Sequence, residues 1–159
     1  MTGPTHIIGG FTAAAAMAYF NAISVEQPII YYSAALFGAL IPDICHPRSM
    51  VGRALPVVST VLLRTFGHRS FTHSLLFLLG IYWLLNWLPV YSTDITLGLL
   101  SGVVSHFILD AMTSQGIRLF YPLKTRVRFP FTTKTGSLLG ERFVAFMLIG
   151  ATVYFFTFG

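Results

Sequence analysis

Apolar runs close to membrane-spanning length recur along this chain, and charge collects in the connections between them. A hydrocarbon core of about 30 Å takes about 20 residues of helix, within a range of roughly 17 to 25. Five segments approach that length: residues 6–24, 28–44, 70–90, 94–113 and 142–158. A sixth, 54–66, is too short to cross and carries Arg64, which reads as an interfacial or re-entrant helix. Composition excludes a soluble domain, because 55% of the residues are hydrophobic and only 9% are charged, against about 25% charged in soluble proteins. The expectation is a single all-α integral membrane domain over residues 1–159: a polytopic bundle of about five transmembrane helices plus one short interfacial helix.

No Lys or Arg precedes the first run, and His6 stands at its start, so it reads as a retained helix rather than a cleaved signal. Pro28 suits a first helical turn and Pro89 helps to close the third run, while residues 114–140 form a long, basic, turn-rich loop with a short hairpin expected through 126–133. With five spans, Arg48, Arg53, Arg64, Arg69, Arg118, Lys124, Arg126, Arg128, Lys134 and Arg142, which are all 10 basic residues, fall on one side. The positive-inside rule makes that side cytoplasmic. The protein is therefore expected in the plasma (inner) membrane, multi-pass, with its amino terminus cytoplasmic and its carboxyl terminus external. A formal net charge of +5 fits an anionic lipid surface; nucleic acid is not an expected partner of so apolar a chain.

The rare polar residues repeat one placement. His6 opens the first run; Asp43 and His46 close the second; His68 and His73 flank the start of the third; His106 and Asp110 end the fourth; Glu141 precedes the fifth. Helix direction alternates, so these positions form one layer at the cytoplasmic end. Ionisable groups in a bilayer are costly and are expected to face inward with partners. Asp110 follows His106 by four residues, about 40° around a helix, so both reach one site. His68 and His73 lie about 140° apart on a helix and share a site only if His68 sits in the preceding loop, where Gly67 supplies the break.

The single cysteine, Cys45, makes no internal disulfide or Cys-x-x-Cys centre, which leaves metal binding to His and carboxylates. His6, Asp43, His46, His68, His73, His106, Asp110 and Glu141 form an N/O donor set suited to Zn²⁺ and compatible with Mn²⁺ or Fe²⁺. They exceed the four donors of one structural zinc site, leaving enough for two or three ions. Such ions activate water and clamp phosphoester oxygens. The expected activity is metal-dependent hydrolysis of a phosphoester, in a phosphorylated or anionic lipid or a lipid-linked headgroup at the cytoplasmic leaflet. Arg69, four residues before His73, is expected to clamp the anion, and Asp43 or Glu141 to serve as base. The rival is a metal-ion transporter or metal sensor using the same donors, although a transport pathway places its site near the midplane.

Taken together, Thr5-His6, Pro42-Asp43-Ile44-Cys45-His46-Pro47, Gly67-His68-Arg69-Ser70-Phe71-Thr72-His73-Ser74, Ser105-His106-Phe107-Ile108-Leu109-Asp110 and the segment 136–141 resemble the YdjM-type membrane-bound metal-dependent hydrolases. The Gly-His-Arg-x-x-Thr-His-Ser stretch is the most specific of these. The resemblance implies a helical inner-membrane protein with a metal site. It also implies that His6, Asp43, His68, His73, His106 and Asp110 carry that site. The arrangement looks like that of zinc-dependent phospholipase C and the single-strand nucleases related to it. The YdjM-type family usually has a second Asp where this chain has Cys45.

Overall fold

Prolines and hydroxyl caps decide where the helices of this chain begin. A computed structural model describes residues 1–67, 69–88 and 92–158. Pro4, Pro28 and Pro56 stand in the first turns of helices α1 (Gly3–Tyr19), α2 (Pro28–Gly38) and α4 (Pro56–Phe66), where a missing N–H leaves no bond unmade. Ser49, Ser74 and Ser92 accept from the backbone N–H groups of Gly52, Phe77 and Ile95, and so cap α3 (Met50–Ala54), α5 (Leu75–Trp87) and α6 (Thr93–Ala111). Helix α7 (Gly140–Phe158) completes seven α-helices among the described residues, and 3₁₀ turns at Ile41–Cys45 and Phe71–His73 precede α3 and α5.

Among the described residues three stretches, not five, are long and apolar enough to cross a membrane: Pro28–Cys45, Thr93–Ala111 and Gly140–Phe158. The expected five-span bundle is thereby corrected. The apolar run 70–90 does not form one helix, because its first residues are taken up by the Phe71–His73 turn and the Ser74 cap. Helix α5 keeps only 13 residues, about 20 Å at 1.5 Å each, and Pro89 and Val90 lie outside the described residues. Helix α1 ends at Tyr19 after 17 residues, and Asn21 follows at φ 50°. Its Thr5, Gly9, Gly10, Thr12, Ala14 and Ala15 are buried. It is a small-residue helix enclosed by α2, α6 and α7. The short apolar helix expected at 54–66 is α4.

Glycine sets the closest contact. On α6, Gly98 and Gly102 are four apart and share one stripe with His106 and Asp110. A β-carbon at Gly98 would lie 2.3 Å from the Tyr31 carbonyl oxygen of α2, and one at Gly102 would lie 2.1 Å from that of Ala35. Across from them, a β-carbon at Gly38 would meet the Leu99 carbonyl oxygen at 2.2 Å. Helices α2 and α6 therefore pack backbone to backbone, as small residues allow in membrane bundles.

Side-chain bonds tie the two ends of the bundle. At one end Asp94 accepts from the Gln27 N–H at 2.7 Å, and the Tyr19 and Tyr154 rings pack together. At the other, Thr2 and Thr5 bond Glu141 at the start of α7. The loop after α6 does not make the hairpin expected through 126–133; it pairs back onto the end of α6. Ile117 and Val127 exchange N–H to carbonyl bonds of 3.0 and 2.8 Å, and Thr133 N–H reaches the Met112 carbonyl.

Candidate metal centre

The end of the bundle that holds Glu141 also gathers side chains from four elements. Helix α1 supplies His6, the 3₁₀ turn after α2 supplies Asp43, the turn before α5 supplies His73, and α6 supplies His106 and Asp110. The donor atoms form two overlapping trios, His6–His106–Asp110 and Asp43–His73–His106, each within 4.8 Å. His106 is common to both. The side chains of His6, His73, His106 and Asp110 are fully buried, whereas that of Asp43 is 16% exposed.

The separations suit a small ion. His73 Nε2 lies 3.1 Å from His106 Nε2 and 3.4 Å from Asp110 Oδ2, and His106 Nε2 lies 3.7 Å from that same oxygen. Asp43 Oδ1 is 3.8 Å from both imidazole nitrogens. Around a tetrahedral zinc with bonds of about 2.0–2.1 Å, donors stand about 3.3 Å apart. His6 Nδ1 is also buried without a hydrogen-bond or charge partner. Such a group carries a desolvation cost that a bound cation removes. The residues therefore fit a divalent metal.

Backbone and neighbouring side chains fix the orientation of these donors. His106 Nδ1 stands 2.6 Å from the Ala39 carbonyl oxygen. A carbonyl only accepts, so the proton resides on Nδ1 and Nε2 presents its lone pair to the cluster. That bond exists because the glycine contact brings α2 so close. The His6 ring stacks on His106, with centroids 3.6 Å apart and planes 9° from parallel. Asp110 divides its oxygens: Oδ1 lies 3.2 Å from His6 Nε2 and contacts the Met1 amino group, while Oδ2 faces His73 and His106. Burial pushes the His73 imidazole toward its neutral form, but the Asp110 carboxylate and the Cys45 side chain outweigh it and hold the pKa up at about 9.

Arg69, expected to clamp substrate, is engaged within the protein. One terminal nitrogen donates to Asp110 Oδ1 at 3.0 Å, the other to Thr113 Oγ1 at 2.8 Å, and Nε lies 2.9 Å from Asp110 Oδ2. Its backbone sits at φ 55°, a left-handed conformation uncommon for a side chain of this size. Glu141 stands apart from both trios. It accepts from the Thr2 N–H, the Gly136 N–H, and the Thr2 and Thr5 hydroxyls, the last two at 2.7 Å. His46 lies beside the cluster, lining a cleft that reaches Asp43. His68 lies outside the described residues.

Sequence reasoning missed the supporting groups. The Ala39 carbonyl carries no side-chain signal, Thr113 is the last residue of the fourth apolar run, and Gln115 sits beyond it. The Gly98 to Gly102 spacing was readable, since it continues at the same interval into His106 and Asp110.

Residues 1–158 match the model of the YdjM inner membrane protein family. The chain belongs to that family. It is 42% identical over 157 residues to the protein YvsG of Bacillus subtilis (strain 168), covering 98% of this chain and 95% of that one. It is 35% identical over 126 residues to the inner membrane protein YdjM of Escherichia coli (strain K12), covering 76% of this chain and 63% of that one. No solved structure matches. This YdjM-family chain is thus a multi-pass inner-membrane protein with a buried His/Asp cluster capable of coordinating a metal.

Proposed function

We propose that this YdjM-family protein is a membrane-embedded, metal-dependent hydrolase of phosphoesters, acting on a lipid or lipid-linked headgroup. The observation that carries the reading is the convergence of two donor trios on His106 at one end of the bundle. His6, His106, Asp110, Asp43 and His73 would hold the metal, most simply zinc in view of the N/O donor set, with two or three ions accommodated if His68 adds a donor. When bound, divalent ions lower the pKa of water and polarise phosphoryl oxygens.

The chain's own groups set the stage for that chemistry. The Ala39 carbonyl holds the His106 tautomer, and Arg69 holds the Asp110 carboxylate in the plane that lets its two oxygens face different donors. Asp43, the partly exposed member, faces an incoming substrate, and its carboxylate takes a proton from attacking water. The buried wall of His6, His73 and His106 keeps bulk solvent from the far side. With all 10 basic residues falling between residues 48 and 142, around the connections at the metal-site end, that end faces the cytoplasm.

The test is to purify the protein in lipid, count bound metal, and compare hydrolysis of phospholipids and lipid phosphates with His73→Ala and Asp110→Asn controls. Metal in the parent protein, with turnover that both substitutions abolish, supports the reading. Bound metal without turnover, or turnover unchanged in both variants, overturns it.

A further inference from the structure

Four of the five clustered side chains are fully buried, and Asp43 is the member that meets solvent. Asp43 opens onto a cleft of about 370 Å³ between the start of α1 and the Ile41–Cys45 to α3 segment. Thr2, Pro4, His46, Arg48 and Arg53 line it, and Asp43 is the single acidic residue in the lining. Arg48 and Arg53 are both exposed, and neither is held in an ion pair among the described residues.

The cleft wall is a built surface. Ser49 Oγ donates to the Asp43 carbonyl oxygen at 2.8 Å and accepts from the Gly52 N–H at 2.9 Å, so the turn carrying Asp43 and the helix carrying Arg53 are bolted together. A β-carbon at Gly52 would lie 2.0 Å from the His46 carbonyl oxygen, which brings that helix against the turn as closely as backbone permits. The neighbouring helix α4 exposes Val57, Val58 and Val61, an apolar face suited to lipid. A cationic pocket beside such a face can receive an anionic group at headgroup depth.

We propose that this cleft admits and anchors the phosphoryl group of the substrate, with Arg48 and Arg53 as its paired cations and Asp43 at its inner end. The inference rests on the phosphoesterase reading and names the substrate subsite for it. Planar guanidinium forks match phosphate oxygens, and the cleft supplies two of them beside the partly exposed member of a buried cluster. Arg69 does not compete for the role, being occupied by Asp110, Thr113 and Gln115.

Binding can be read without turnover. Metal-loaded protein in phosphatidylcholine nanodiscs is titrated with inorganic phosphate, and separately reconstituted with phosphatidic acid. Parent protein is compared with Arg48→Gln/Arg53→Gln and with the charge-matched Lys124→Gln/Arg128→Gln. Phosphoryl binding should weaken at least tenfold in the first variant and less than twofold in the second, with metal content equal in all three. Equal weakening in both variants, or none in the first, overturns the cleft assignment while leaving the metal reading intact. Loss of metal from the parent protein counts against the metal reading instead. If the arginine variant does not fold, phenylglyoxal labelling of the parent protein replaces it. Phosphate or phosphatidic acid should protect Arg48 and Arg53 and leave Arg64 reactive, and unprotected Arg48 and Arg53 overturn the proposal. Protection by phosphatidic acid alone identifies a lipid source for the phosphoryl group, and protection by inorganic phosphate identifies a soluble one.

Discussion

The imidazoles of His6 and His106 lie face to face, 3.6 Å between centroids, although they come from helices whose sequence positions are a hundred residues apart. His6→Phe preserves a flat ring against His106, removes a buried Nδ1 that has no partner, and removes the Nε2 that faces Asp110 Oδ1. Metal affinity should fall at least tenfold while the melting temperature is unchanged or rises. Metal content by elemental analysis and thermal unfolding in detergent read the two effects separately. Undiminished metal content would remove His6 from the donor set.

Arg69 acts through Asp110, so a lysine at that position keeps the charge and loses the fork. Arg69→Lys should weaken metal binding by about 10- to 100-fold, the usual cost of losing a group that orients a ligand. Competition with a chelator of known affinity measures it. If affinity is retained, the contacts to both Asp110 oxygens contribute only to the fold.

Gly102→Val inserts a side chain where the Ala35 carbonyl oxygen leaves 2.1 Å. Overpacking should cost about 1–3 kcal/mol and should break the His106 bond to Ala39 along with it. Gly150→Ala is the matched control, because nothing lies within 4 Å of a β-carbon there, and it should be neutral or stabilising by up to about 1 kcal/mol. Equal unfolding midpoints for the two variants would refute the close helix contact.

Glu141→Ala leaves the Thr2 and Gly136 N–H groups without an acceptor and should destabilise the protein by about 2 kcal/mol or more. Since its carboxylate lies outside both donor trios, metal stoichiometry should persist in whatever fraction folds. A folded, metal-free Glu141→Gln variant would instead make it a ligand.

Helix α7 runs from the metal-site end to the end where Tyr154 meets Tyr19. A reporter fused to the carboxyl terminus should therefore read as external if the metal-site end is cytoplasmic. A cytoplasmic signal would invert the proposed orientation.

The polar layer was legible because each of its members ends or begins an apolar run, and the structure brings His6, Asp43, His73, His106 and Asp110 together there. The number of crossings was not. Run length counts apolar residues, whereas a span needs apolar residues in one unbroken helix, and the 70–90 run spends its first turn presenting His73. Asp43 likewise sits on a 3₁₀ turn that continues the direction of α2 without its helical period. Glu141 looked like a donor from its position alone. Its hydrogen bonds come from Thr2, Thr5 and Gly136, and the contacts from α1 depend on how α1 docks against α7, which linear spacing does not encode.

The glycine seam between α2 and α6 has one more implication. Main-chain atoms in direct contact have no rotamers to explore, so the gap between Ala39 and His106 is governed by atomic radii rather than by side-chain mobility. The imidazole is thus aimed when the chain folds, and an arriving cation has little slack to remove at that position.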